Sequence, residues 1–485
     1  MMFFNESVWA GKIFNGDWID AANGDLLVQE PATQTLLTTA GEASVDQALE
    51  AVKTASIAQV EWSKTKPEER AAIMRKAGDL WHQHEAELMQ WIIKETGAIP
   101  PKAGLEAHMA QEICYESSAL PSHPMGIVIP SNNDHWSFSR RRPAGVVSVI
   151  APFNFPLILS IRSVAPALAL GNAVVLKPDP RTPISGGYVI ARIFAEAGLP
   201  KGLLHVIPGG AQVGSAIVTA PEVRVVSFTG STNAGRKVGE LASQHLKRVH
   251  LELGGKNSLI VLPGADIAMA ASAAAFGGYL HQGQICMATS RVIVHDSIYD
   301  EFVAALGEKA ANLPVGDPAQ GQVALGPIID KQQITRMASL VDQSVAAGAT
   351  LVTGGTYDGL FYKPTVLANV TPEMPAYNEE IFGPVLAVSK FRTTSEAIKL
   401  ASDTEYGLAL GILGDVGAAM EIADSVPAGL IHINEMTVGD EPNIPFGGVG
   451  ASGNGSRFGG AEANIEAFTE VQWLTVRSEI APYPF

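Results

Sequence analysis

From Gly145 onward, short apolar runs alternate with segments of helical length. The runs are VVSVI at 146–150, AVVL at 173–176, LLHVI at 203–207, RVVSF at 224–228 and RVHLEL at 248–253. Strands that are apolar nearly throughout and joined by helix-length connections predict βαβ crossovers and a parallel sheet covered on both faces. A second alternation follows, with SLIVL at 258–262, a small-residue helix to about His281, RVIV at 291–294 and further strand candidates near 350, 385, 410 and 430. The first hundred residues predict a short strand-rich start and then helices. Ser44 is placed to cap a helix through about Ser56, and a longer helix is expected after Pro67, the whole region reading as scaffold.

Two segments fit neither alternation. Pro121 to Arg142 is one, and Phe468 to Arg477 is the other, where TEVQWLTV alternates like an exposed strand. Such strands invite edge pairing with another chain, which predicts an oligomerisation arm. The fold class is therefore α/β, with a doubly wound, Rossmann-type parallel-sheet domain, a second α/β domain and a β-arm.

Composition narrows the function. A chain of 485 residues that is 47% hydrophobic and 17% charged suits a globular enzyme of two or three domains. A net charge of −16 without a strongly basic run would repel a phosphate backbone, so nucleic-acid binding is not expected. The segment from Met1 to Asp20 lacks a basic flank leading into an apolar core, and no uncharged run reaches spanning length, so no membrane partner and a cytoplasmic location are expected. Cys114 and Cys286 are the only cysteines, which leaves no disulfide framework or thiolate zinc site, and no HExxH pair suggests a metal.

Four segments could carry chemistry. QGQICMATS at 282–290 places Cys286 in a loop between a helix and a strand, where it is either a nucleophile or a buried structural thiol. HLELGGKN at 250–257 ends an apolar strand on Glu252 before two glycines. In that setting a carboxylate would have a raised pKa suited to a general base, or would be an ordinary surface or salt-bridged Glu. APFNFP at 151–156 follows the first strand of the sheet, and its Asn154 either donates to an oxyanion or forms a turn. FTGSTNAG at 228–235 runs from strand to helix and is either an anion site or a capped helix start. Gly448, Gly450 and Gly453 match GxGxxG, but no βαβ unit can follow them so near the C-terminus, and they are rejected as a dinucleotide fingerprint.

Together these segments resemble the aldehyde dehydrogenase superfamily from about residue 12 to the C-terminus. The resemblance rests on PFNFP at 152–156, LKP at 176–178, FTGSTNAG at 228–235, LELGGKN at 251–257, GQICMATSR at 283–291, EEIFGPV at 379–385 and PFGGVGASGNG at 445–455. It implies a dinucleotide-binding domain of residues 1–122 and 144–253, a catalytic domain of 254–467, and an oligomerisation arm of 123–143 and 468–485 that would build a homodimer or homotetramer. It further implies that Cys286 attacks the aldehyde carbon, that the Asn154 amide and the Cys286 N–H hold the oxyanion, and that Glu252 activates the water that hydrolyses the thioester.

By the same resemblance the cofactor is NAD, with NADP as the alternative. Lys177 would hold a ribose hydroxyl, Gly230 and Ser231 the pyrophosphate, and Glu380 with Phe382 the nicotinamide ribose, while Pro152, Phe153 and Gly235 complete the cofactor site. Pro180 stands where many NAD-specific members carry a Glu. Asp179 is then a substitute acceptor that favours NAD, and Arg181 a candidate phosphate ligand that favours NADP. Cys114 matches no motif and is assigned a structural role.

FPLILSIRS at 155–163 carries Arg162 where members acting on aliphatic aldehydes commonly have a tryptophan, and VGDEPNIPF at 438–446 lacks their aromatic clamp. Both features are similar to the benzaldehyde and vanillin dehydrogenase branch, and KPDPRTP at 177–183 resembles the benzaldehyde enzymes more. An aromatic aldehyde is the expected substrate, with Leu159, Ile285 and Met287 as candidate walls for its ring.

Overall fold

In the computed structural model, which describes residues 3–485, the first alternation forms a seven-stranded sheet. The strand order is Arg248–Glu252, Val223–Thr229, Val146–Ile150, Ala173–Lys177, Leu204–Val206, Lys12–Asn15 and Trp18–Asp20. The first five strands are parallel, and the two N-terminal ones add an antiparallel edge. Helix Pro156–Ala169 is mostly apolar and buried at every residue, its Ser160, Arg162 and Ser163 being hydrogen-bonded within the fold.

The chain moves outward from Val146–Ile150 through Ala173–Lys177 to Leu204–Val206, then returns to Val223–Thr229 on the other side. This reversal makes a switch point whose crevice lies beyond the carboxyl ends of two strands, where open α/β sheets bind ligands. Residues 151–154 and 230–231 leave the sheet there.

The second alternation builds another seven-stranded sheet, in the order Thr350–Thr353, Thr365–Ala368, Val385–Phe391, Thr289–His295, Asn257–Val261, Ala409–Leu413 and Leu430–Ile433. Only the edge strand Thr350–Thr353 runs antiparallel. Strand Thr365–Ala368 was not anticipated, because four residues after a proline offer no period to read. The two leftover segments pair with each other: Thr469–Val476 lies antiparallel to Trp136–Pro143, with Gly126–Val128 beyond it. Trp136 and Trp473 remain exposed on this three-stranded sheet.

Ser44 caps its helix through a capping box with Gln47, but the helix runs to Trp62 instead of about Ser56. Its last turns are held because the buried Trp62 indole donates to the Leu168 carbonyl at 2.8 Å. No helix among the described residues is long and apolar enough to cross a membrane.

Candidate active site

Helix Ile267–Tyr279 ends in a backbone that ordinary side chains resist. His281, Gln282 and Gly283 have φ of 48°, 56° and 67°, and non-glycine residues held there cost on the order of 1–3 kcal/mol each. The surroundings enforce this path. The Gln282 amide donates to the Gly97 and Pro327 carbonyls, and the Gln284 side-chain carbonyl accepts from the Ile329 N–H. Two residues on, Cys286 is half-buried, and its carbonyl accepts at 2.8 Å from the Asn257 amide, which also donates to Ala288. The Asn257 side-chain carbonyl accepts in turn from the Ala409 N–H, tying the cysteine loop to the second sheet.

Asn154 approaches from the first sheet. Its side-chain amide donates to the Gln284 carbonyl at 2.8 Å, which uses one of two amide protons and fixes the plane of the other. Its own carbonyl accepts from buried Lys102, which is ion-paired to buried Glu106. Asn154 and Cys286 line one cavity of about 500 Å³. Its walls are largely apolar and include Phe155, Ile158, Leu159, Ile285 and Met287, so all three expected ring walls face it. At its polar side Arg162 donates to both oxygens of Asp440, at 2.9 and 2.7 Å, with its guanidinium over the Phe446 ring.

Glu252 stands beside this cavity rather than on its lining. It is 4% exposed, and neither carboxylate oxygen accepts a well-formed hydrogen bond among the described residues. A Cβ at Gly447 would lie 2.4 Å from the Ser456 carbonyl and 2.8 Å from the Glu252 Oε1, so the glycine makes room for the neighbouring backbone as well as for the carboxylate. The GxGxxG segment is thereby explained as a wall: Gly453 pairs with Glu252, and the Leu253 N–H donates to the Ser452 carbonyl.

Burial raises the Glu252 carboxyl well above its ordinary range, with Arg162 and Arg457 pulling it back. The Cys286 thiol is pushed up to about 12 by burial and then by the charges of Glu252 and Glu380, again opposed by Arg162. Nucleophile and carboxylate therefore share one electrostatic neighbourhood, with Arg162 the cation common to both.

The expected cofactor residues gather around the crevice with some changes of role. Lys177 ends its strand and is 8% exposed, its carbonyl accepts from the Ala151 N–H, and its ammonium has no hydrogen bond or ion pair among the described residues, leaving a cation free for a hydroxyl-bearing ligand. Phe153 lies under the Arg181 guanidinium and edge-on to Phe382, which has a φ of 56°, and Pro152 precedes it at the crevice. Glu380 accepts from the Gly255 N–H at 2.9 Å and fills the space that a Cβ on Gly254 would need. Ser231 caps helix Thr232–Gln244 by accepting from Ala234, which leaves its hydroxyl proton and the first helical N–H groups free for an anion.

Two expected cofactor residues have partners within the fold. The Gly230 N–H donates to the Glu252 carbonyl, so any contact with a pyrophosphate would run through other atoms of Gly230. Gly235 is buried, and a Cβ there would lie 2.2 Å from a Leu253 methyl, so its part is to let the helix approach the sheet rather than to touch a ligand. Arg181 and Asp179 are not independent either, because Arg181 makes a forked pair with Asp179 and a further bond to Asp330.

Four residues that build the site escaped the sequence reading: Lys102, Glu106, Asn257 and Gln284. Lys102 and Glu106 form an i, i+4 pair that from sequence alone looks like an exposed helix face. Asn257 lay within a quoted motif without a role of its own.

The comparisons with known proteins agree with this geometry. The model of the "Aldehyde dehydrogenase family" matches residues 18–474. A vanillin dehydrogenase of Amycolatopsis sp. is 58% identical, with all of both chains covered. The NAD(+) benzaldehyde dehydrogenase of Pseudomonas putida is 46% identical over 99% of each chain. A crystal structure of a salicylaldehyde dehydrogenase from Pseudomonas putida G7, complexed with salicylaldehyde, superposes with a TM-score of 0.94 at 36% identity, covering 98% of this chain and 99% of that one. The cavity that unites a loop cysteine with a side-chain amide, and the match along nearly the whole chain, establish that this protein belongs to the aldehyde dehydrogenase family.

Proposed function

We propose that this protein oxidises an aromatic aldehyde, benzaldehyde-like in its ring, to the carboxylic acid with reduction of NAD. The observation that carries this is the largely apolar cavity with Cys286 and the Asn154 amide on one wall. The relatives named for vanillin, benzaldehyde and salicylaldehyde support the substrate class.

The Cys286 sulfur adds to the aldehyde carbon and releases its proton to solvent, and the carbonyl oxygen becomes an oxyanion held by the free Asn154 amide proton and the Cys286 N–H. Held in the crevice, a nicotinamide dinucleotide would supply the acceptor for the former aldehyde hydrogen and its electron pair. The carbonyl then re-forms as a thioester on Cys286. Glu252, buried and without strong hydrogen bonds, takes a proton from water as the water oxygen bonds to the thioester carbon. The carbon–sulfur bond breaks, the acid leaves and the proton returns to sulfur.

The crevice suits such a cofactor: Lys177 for ribose hydroxyls, the free groups at Ser231 for the pyrophosphate, and Glu380 with Phe382 for the second ribose. A 2′-phosphate would have to compete with both Asp179 and Asp330 for Arg181, which supports NAD over NADP. The division at about 122, 143, 253 and 467 into cofactor domain, catalytic domain and arm follows the three sheets. The exposed arm supports a homodimer or homotetramer, and a cytoplasmic enzyme fits the expectations from sequence.

A vanillin-type preference is the second reading, favoured by Arg162, Asp440 and Glu435 at the cavity's polar side. The test is kcat/KM for benzaldehyde, vanillin and a linear aldehyde, each with NAD and NADP. Benzaldehyde with NAD is expected to be highest, vanillin ahead would select the second reading, and the linear aldehyde ahead would refute both. Release of an acyl-coenzyme A instead of free acid would refute the hydrolytic role of Glu252.

A further inference from the structure

We propose that the buried Lys102–Glu106 pair is a positioning device for the oxyanion-binding amide of Asn154, an inference that rests on the oxidation proposed above. Both residues lie on helix Pro100–Ala119 one turn apart, and both side chains are fully buried. Apart from the bond between them, their side-chain hydrogen bonds go to the segment that carries Asn154. The Lys102 ammonium donates to Glu106 and, at 2.7 Å, to the Asn154 carbonyl, and it lies 4.3 Å from the centre of the Phe155 ring. The second Glu106 oxygen accepts from the N–H groups of Leu157 and Ile158 at 3.0 and 3.3 Å.

Those N–H groups belong to the first turn of helix Pro156–Ala169, which has no side-chain cap of its own and no N–H at Pro156. The neighbouring helix thus supplies the missing cap through Glu106. One ion pair grips Asn154 by its carbonyl and the following helix by its first free N–H groups, while Gln284 holds the Asn154 side chain from the cysteine loop. The oxyanion donor is therefore fixed at three points, two of which depend on this pair.

A buried ion pair is an inefficient way to add stability, because desolvation offsets most of the attraction, and an apolar pair of similar volume serves as well or better. What an apolar pair cannot do is direct a carbonyl and two N–H groups. Misplacement of a reacting group by about 1 Å lowers rate by about a hundredfold, so even a small rotation of the 154–156 turn would be felt in kcat. Lys102 and Glu106 touch neither substrate nor cofactor in this scheme; they act through Asn154.

The test is a double-mutant cycle with benzaldehyde and NAD on the purified full-length enzyme, comparing the parent, Lys102→Met, Asn154→Ala and the combined variant, each checked for folding by circular dichroism. Lys102→Met is expected to lower kcat about tenfold to a hundredfold with KM within about twofold. In the Asn154→Ala background the same substitution should change kcat by less than about twofold, because the backbone carbonyl remains but the side-chain amide that it orients is gone. Equal losses in both backgrounds, as a general structural role would give, or an unchanged kcat in Lys102→Met, would overturn the inference. If Lys102→Met does not fold, Glu106→Gln, which keeps an acceptor for the helix N–H groups while removing the charge, takes its place in the cycle with the same expected coupling and the same disproof. If Asn154→Ala alone keeps full kcat, the oxyanion assignment falls and this inference with it; if Asn154→Ala is slow but uncoupled to the pair, the inference alone falls.

Discussion

Replacing Glu252 with glutamine separates the two halves of the reaction. The amide preserves shape but cannot take a proton from water, and positioned general bases contribute about 10²–10⁴-fold, or roughly 3–5 kcal/mol of barrier. Thioester hydrolysis should slow by that factor, whereas formation of the thioester, which needs the base less, should continue. In stopped flow, one equivalent of reduced cofactor per active site is expected as a burst, followed by a nearly arrested steady state. The same change should stabilise the protein at alkaline pH. The Glu252 carboxyl titrates well above 4.5 in the folded protein and near 4.5 when unfolded, so between those values the native state holds the extra proton. Stability therefore falls as pH rises from about 4.5 through the folded pKa, and above it the fold carries an unpaired buried carboxylate, at about 1–3 kcal/mol. For a chain of 485 residues the unfolding entropy is roughly 1 kcal/mol/K, so Glu252→Gln should melt about 1–3 °C higher at pH 9, with the gap closing towards pH 4.5. Unchanged steady-state turnover, a burst lost in proportion to turnover, or a melting gap that widens in acid would each refute the assignment.

Cys286→Ala should abolish both burst and turnover, and retention of activity would remove the nucleophile. Arg162→Met removes the cation that lowers the pKa of both Cys286 and Glu252, so the acidic limb of the kcat/KM profile should move to higher pH; a shift to lower pH would contradict the electrostatics. Asp179→Ser should free one side of Arg181 and raise kcat/KM with NADP relative to NAD by about tenfold, or one charge-assisted hydrogen bond, and an unchanged ratio would place 2′ recognition elsewhere. Gly447→Ala puts a methyl 2.4 Å from the Ser456 carbonyl and 2.8 Å from the Glu252 carboxylate, so the backbone beside Glu252 must shift; turnover should fall more than the burst, and equal losses would mark a general structural effect.

Much of this was legible in the chain because the determinants are local. Parallel strands buried on both faces announce themselves as apolar runs, and the motif around Cys286 carries its glycine and glutamines with it. The losses were of two physical kinds. Gly230 and Gly235 sit in a phosphate-loop pattern, yet the sheet takes the N–H of one and the helix contact takes the other. Lys102 and Glu106 are charged residues at helical spacing, a pattern that ordinarily marks solvent; their burial depends on a carbonyl and two N–H groups some fifty residues later in the chain. An i, i+4 pair is local information, whereas the unsatisfied groups that draw it inward are not.

The electrostatics of the site also explain why a cavity built for an apolar ring contains Arg162. Burial alone would hold both the Cys286 thiol and the Glu252 carboxyl protonated, which suits neither attack nor water activation. One fixed cation acts on both groups, and it is held in turn by Asp440, whose own carboxyl is raised by burial and drawn down by Arg162. In the proposed reaction, negative charge would pass to the oxygen beside Asn154 as the sulfur adds to the aldehyde, so the thiol could lose its proton without a free thiolate being stable beforehand. The raised thiol of the resting enzyme is then a consequence of placing stabilisation where charge develops during the reaction rather than on the sulfur at rest. On that division Arg162 tempers the cost of ionising Cys286 and Glu252 while Asn154 would meet the charge that develops on oxygen, which fits a side-chain amide held from the cysteine loop and from a neighbouring helix.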